Sequence, residues 1–166
     1  SSPIMSTQPD SSAPDVGEEA PDFELFSHEQ ESWKLSNQRG QPVVLFFFPG
    51  AFTSVCTTEL NTVNNSLDQY GDAEIIGVST DSPFVLEEFR SVHGFDFPLL
   101  SDHEGTVSAM YGAKYNENFT PMALDRIAKR AAFVVDAEGV VQYREVLDNA
   151  GNQPDFDAIQ KVLESL

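Results

Sequence analysis

Apolar and polar positions recur along this chain with two different periods, and the changes of period divide it into strands and helices. Phe23 and Leu25 alternate with polar neighbours, as do Trp33 and Leu35 after the polar stretch 27–32, which predicts an opening β-hairpin. Val43 to Phe48 is an unbroken run of β-branched, aliphatic and aromatic residues, the pattern of a central strand covered on both faces. After the loop 49–53, Cys56, Leu60, Val63, Leu67 and Tyr70 follow one another at spacings of three and four, which predicts one face of a single amphipathic helix stopped by Gly71. Glu74 to Ser79 reads as the next strand, parallel to the first and reached through a right-handed crossover.

Ser82 before Pro83 is the signature of a helix start. Val85, Leu86, Phe89 and Val92 are expected to form its buried stripe, with Gly94 as its end. A short strand is expected at Phe97 to Leu100 and a small helix near Thr106 to Tyr111. The stretch from Gly112 to Lys129 has no clear period and is a candidate functional loop. Arg130 to Asp136 and Val140 to Val146 flank the turn-forming Asp136-Ala137-Glu138-Gly139, so they predict an antiparallel hairpin. Pro154 opens a last helix with the stripe Phe156, Ile159, Leu163 and Leu166. Together these elements predict an α/β domain over residues 18–166, with a central mixed β-sheet flanked by helices and an N-terminal β-hairpin extension.

Composition adjusts the edges of this picture. Residues 1–17 are crowded with Pro, Ser, Asp and Gln and are expected to be a disordered tail, in which residues 1–4 ahead of Met5 resemble an expression scar. The chain has 166 residues, enough for one core, and its longest apolar run is broken by Pro49, far short of a membrane span. Its net charge of −18 disfavours nucleic acid and anionic membrane surfaces as partners. The same acidic excess fits adaptation to high salt or an ordinary solubility charge. A single cysteine cannot form an internal disulfide, so a cytoplasmic location is the expectation.

That cysteine, Cys56, stands at the predicted start of the helix that follows the central strand, where unpaired N–H groups and the positive end of the helix dipole favour an anion such as a thiolate. On position alone it reads equally as a small hydrophobe on the buried stripe. Its neighbours tell against that: Pro49, Thr53 and Cys56 spell PxxxTxxC directly after the strand Val43 to Phe48. With this motif in this setting, and with Arg130-Ala131-Ala132-Phe133-Val134-Val135-Asp136 opening a later strand, the sequence resembles the peroxiredoxin family. Within it, the chain is most similar to one-cysteine, AhpE-like and bacterioferritin-comigratory-like thiol peroxidases. The resemblance runs from about Glu18 to Leu166 and implies a thioredoxin-like fold.

It implies as well that the Cys56 thiolate reduces hydrogen peroxide and organic hydroperoxides. Thr53 would offer its hydroxyl and Cys56 its backbone N–H to the peroxide, Arg130 would hold thiolate and departing oxygen, and Pro49 would shield the sulfur from water. Glu59, one turn after Cys56, would position the arginine, its plain alternative being a solvated helix face. Thr53 as a helix cap, Pro49 as a strand terminator and Arg130 as a surface cation are the corresponding plain readings, with Arg126 and Lys129 as nearby competitors for the arginine's role. With no second cysteine, the sulfenic acid left on Cys56 would need an external thiol or a redoxin-type partner, and excess peroxide would carry it on to inactive acids. No bound cofactor and no metal are expected, since His28, His93 and His103 are scattered. A homodimer is expected, with Phe52 and the loop Tyr115 to Met122 supplying apolar contact near the site. The rival functions are a monothiol disulfide exchanger and a non-catalytic thioredoxin-fold binding module.

Overall fold

The computed structural model describes residues 13–115 and 122–166. Among these residues, seven strands form one mixed sheet: β1 (Glu24–Ser27), β2 (Ser32–Lys34), β3 (Val43–Phe47), β4 (Glu74–Ser79), β5 (Leu99–Ser101), β6 (Ala131–Val135) and β7 (Val141–Val146). Their order across the sheet is β2-β1-β5-β4-β3-β6-β7, with β3, β4 and β5 parallel and every other pairing antiparallel. The helices are α1 (Ser54–Asn64), α2 (Pro83–His93), α3 (Thr106–Met110) and α4 (Phe156–Glu164). This is the predicted thioredoxin-like arrangement of a mixed sheet flanked by helices, with the β1–β2 hairpin joined at one edge.

β3 sits between β4 and β6 and is buried throughout, which is why its sequence shows no polar alternation. Val43, Leu45 and Phe47 face a layer containing Phe23, Leu35, Tyr111 and Phe133. Val44, Phe46 and Phe48 face the other, which gathers Cys56 and Leu60 of α1, Leu86 and Phe89 of α2, and Ile159 of α4. One strand therefore joins two cores, and the loop leaving its end is held at the centre of the molecule.

Four expectations are corrected in detail. The helix begun at Ser54 ends at Asn64, and Leu67–Tyr70 is a separate 3-10 turn. Asn64 supplies the physical reason, since its amide bonds the Gly94 carbonyl and accepts from the Asp96 N–H, tying the helix end to the next connection instead of continuing it. In α2, Leu86 and Phe89 are buried while Val85 and Val92 are 40% and 58% exposed, so half of the expected stripe lies on the surface. Leu166 likewise falls beyond the end of α4 and is exposed. The chain is already placed at Ala13, which is buried, because the Gly17 N–H bonds the Val141 carbonyl and Glu19 bridges to Val140. Residues 13–17 thus lie along β7; the rest of the expected tail, 1–12, lies outside the described residues.

Gly77 of β4 lies under both neighbours of the parallel core, and a Cβ there would come within 2.7 Å of Leu99 Cδ2 and 3.3 Å of Phe48 Cε1, both on fully buried residues. Gly77→Val is expected to destabilise the protein by roughly 1–3 kcal/mol through overpacking, read by urea unfolding. An unchanged midpoint would mean that this core can rearrange around the strand.

Candidate active site

β3 leads into the loop 49–53, and the loop into α1. The loop is anchored from β4: the Ala51 N–H donates to Asp81 Oδ2 at 2.8 Å, and the Ser79 hydroxyl donates to the same oxygen at 2.7 Å. Phe52 adopts a left-handed backbone, φ +64°, an uncommon conformation for a bulky residue that the anchored ends impose. Thr53 stands at the helix cap, but its hydroxyl makes no capping bond; it donates to the Gly50 carbonyl at 2.7 Å and closes the turn. The first helical hydrogen bond runs from the Thr57 N–H to the Thr53 carbonyl at 2.9 Å. The N–H groups of Ser54, Val55 and Cys56 therefore precede the helical ladder and point out of the positive end of α1.

Cys56 is wholly buried, and its sulfur meets a buried cation. Arg130, at the head of β6, donates from NH1 to Cys56 Sγ at 3.2 Å and to Glu59 Oε1 at 2.6 Å. Its second terminal nitrogen, NH2, donates to the Ala150 carbonyl at 2.9 Å, and its own carbonyl accepts from the Leu147 N–H at 2.9 Å. The guanidinium is thus fixed in plane from two sides, at a residue only 1% exposed. An arginine so buried is the reverse of a surface cation, and a glutamate with no exposure is the reverse of a solvated helix face. Removing one partner of a buried ion pair typically costs about 3–5 kcal/mol, because the other charge is left uncompensated.

Burial pushes the Glu59 carboxyl up to about 7 from its ordinary value of 4.5, against the opposing pull of the Arg130 charge and hydrogen bond. Arg130 moves up despite the burial that works against its charge, because the charges of Glu59 and Cys56 hold its proton. The Tyr115 hydroxyl is also pushed up, first by burial; the charge of Arg130 opposes that and the charge of Cys56 adds to it, which places this ring beside the site.

Of the residues singled out from the sequence, the fold brings Cys56, Arg130 and Glu59 into direct contact and sets Thr53 on the turn before them. Pro49 is half-buried at the exit of β3. Arg126 is exposed and Lys129 pairs with Asp148 at 3.5 Å, so neither competes for the sulfur. Sequence reasoning missed Asp81 and Ser79, whose only signal was a polar strand end, and the Ala150 carbonyl, for which a backbone atom gives no signal at all. Among the described residues, no group of three or more His, Cys, Asp or Glu side chains converges as a metal site, and no helix is long and apolar enough to cross a membrane.

A family model described as the AhpC/TSA family matches residues 16–144. The chain is 37% identical over 136 residues to alkyl hydroperoxide reductase E of Mycobacterium tuberculosis, covering 79% of this chain and 84% of that one. It is 31% identical over 130 residues to peroxiredoxin Bcp of Escherichia coli, covering 77% and 83%. The crystal structure of peroxidoxin BcpB from Mycobacterium tuberculosis superposes with a TM-score of 0.80 at 30% identity, covering 92% of this chain and 98% of that one.

The raised Glu59 carboxyl makes stability depend on pH in a defined direction. Between 4.5 and about 7 the folded state binds more protons at this site than the unfolded chain, so the site's contribution is full below 4.5 and is lost as pH rises through about 7. In Glu59→Gln that dependence is absent. Urea unfolding of the two reduced proteins at either end of the window should show the variant gaining on the parent as pH rises; a difference that stays constant would place the ionised carboxylate in the fold at no cost.

Proposed function

This chain belongs to the AhpC/TSA family and is a peroxiredoxin, a thiol-dependent peroxidase; from that premise we propose that Cys56 is the sulfur that attacks the peroxide. The observation that carries the assignment is the 3.2 Å contact from the buried Arg130 guanidinium to Cys56 Sγ. A charge-assisted donor at that distance stabilises a thiolate over a thiol, and the thiolate is the nucleophile. A binding module has no use for a desolvated cation against its one sulfur.

The thiolate attacks one peroxide oxygen, the S–O bond forms as the O–O bond breaks, and negative charge grows on the oxygen that departs. Arg130 and the Cys56 backbone N–H meet that charge from fixed positions, which requires no reorganisation at the moment of reaction. Thr53 has committed its proton to the Gly50 carbonyl, so toward a peroxide O–H its oxygen acts as an acceptor that orients the substrate. Pro49 closes the loop over the sulfur, and Glu59 holds the guanidinium.

The substrates proposed are hydrogen peroxide and organic hydroperoxides. With Cys56 as the single cysteine, the sulfenic acid is returned to thiolate by an external thiol or a redoxin-type partner, and no bound cofactor takes part. Because Cys56 has no exposed surface, an external reductant reaches the sulfur only when its cover opens. The protein is proposed to act in the cytoplasm as a homodimer. Phe52 is 51% exposed and packs on Phe89, and Val85 and Val92 lie four residues before and three after Phe89, so a partly uncovered apolar face adjoins the site. The other half of the expected contact, residues 116–121 of the loop, lies outside the described residues.

Stopped-flow mixing of the reduced protein with hydrogen peroxide, with sulfenic acid trapped and located by mass, tests the assignment. Oxidation should fall wholly on Cys56, vanish in Cys56→Ser, and slow by about 10²–10³-fold in Arg130→Ala, the usual cost of removing one donor from an oxyanion site. A parent rate no better than that of free cysteine would return the chain to the disulfide-exchange or binding readings.

A further inference from the structure

Cys56 and Glu59 are both acids, neither has any exposed surface, and a single nitrogen of a single guanidinium serves them both. With both ionised, this buried group of three carries a net negative charge, inside a protein whose total is already −18. With one proton retained it is neutral. The geometry says which acid keeps that proton. Glu59 Oε1 takes the bond from Arg130, while Oε2 is buried with no hydrogen-bond partner. An ionised carboxylate oxygen without a donor is among the most costly groups to bury, whereas a neutral carboxyl O–H in the same place costs far less.

We propose that Glu59 holds the proton that Cys56 gives up on becoming a thiolate, and releases it when the sulfur is oxidised. The inference rests on Cys56 being the nucleophile. In the reduced site the groups are thiolate, guanidinium and neutral carboxyl. The thiolate's electron pair forms the S–O bond, the O–O bond breaks, and the departing oxygen leaves as an anion. Sulfur is now a neutral sulfenic acid, so the guanidinium's charge falls to Glu59, which ionises. The proton lost from Glu59 balances the one gained by the departing oxygen to give alcohol or water, and the site is neutral before and after. Reduction by two equivalents of an external thiol restores the thiolate, and the proton freed in that step returns to Glu59.

The titratable and charged groups around Glu59 are Cys56 on its own helix, Arg130 at the head of β6, and Tyr70 from the turn after α1. Tyr115 lies beyond Arg130, and Asp157 of α4 beyond Tyr70. Burial pushes both tyrosines up, so they stay neutral at the pH where the site works. The rise of the Glu59 carboxyl to about 7 is in keeping with the same arrangement. Glu59 is in this sense a positioning residue with a proton to give, a role that a merely structural partner of arginine does not have.

Infrared difference spectroscopy on the reduced full-length protein, slightly below neutral pH, reads that proton directly when an equimolar amount of hydrogen peroxide is added. The expected result is loss of a protonated-carboxyl stretch as sulfenic acid forms, with the same band missing from Glu59→Gln. Proton uptake in weakly buffered solution should be close to none in the parent and about one proton per sulfenic acid in Glu59→Gln. Sulfenic acid formation with no change in the carboxyl region would overturn the proposal, and the parent protein alone suffices for that result should the variant fail to fold. Absence of sulfenic acid would instead remove the peroxidase assignment, which the mass measurement separates from failure of the proton assignment.

Discussion

A guanidinium held out of water against a sulfur and a carboxyl is the contact around which the rest of this structure is arranged. Taking the Arg130 charge from solvent costs several kcal/mol, and its contacts to the sulfur and the carboxyl offset this only where the geometry is tight. Three separate segments bring together the guanidinium and partners for both its terminal nitrogens, while Arg130 Nε and Glu59 Oε2 stay buried without one. β6 presents the arginine at its first turn out of the sheet, α1 presents Cys56 and Glu59 one turn apart on its inner face, and the connection after β7 presents the Ala150 carbonyl to NH2. Each segment is placed by a different part of the core, so the site is a property of the whole domain and not of the cysteine motif.

The start of α1 is where that arrangement is most constrained. Asp81 pulls the loop toward β4, Thr53 closes on Gly50, and Phe52 is left in a backbone conformation that bulky residues avoid. The consequence is a helix whose buried sulfur, in its first turn, meets the cation. It also turns the Phe52 ring outward onto Phe89, giving an apolar surface beside the site. The approach to the buried sulfur and an exposed apolar ring thus come from the same five-residue turn.

Much of this was legible in the chain before any coordinates. The unbroken run Val43 to Phe48 announced a strand buried on both faces, Ser82-Pro83 and Gly94 bounded α2 correctly, and Asp136 to Gly139 marked the hairpin. Cys56 stood out by its place at the predicted helix start, and Thr53 and Arg130 through the resemblance to the peroxiredoxin family. Legibility failed where a distant contact decided the outcome. Asn64 ends α1 by bonding residues 30 and 32 positions away, which no periodicity contains. Val85 and Val92 look like core and lie outside, while Leu86 and Phe89 alone of that stripe are buried. The partners of Arg130 beyond Cys56 and Glu59 are backbone atoms, and a sequence does not advertise a carbonyl.

The central claim is that Arg130 keeps Cys56 as a thiolate in the folded, reduced protein. Ultraviolet thiolate absorbance measured at neutral pH tests it without peroxide, partner or turnover, by comparing the parent with Arg130→Met and with Cys56→Ser as the blank. The account predicts a thiolate signal in the parent that is largely lost in Arg130→Met. A parent spectrum indistinguishable from the Cys56→Ser blank, or a thiolate signal untouched by loss of the guanidinium, would contradict it.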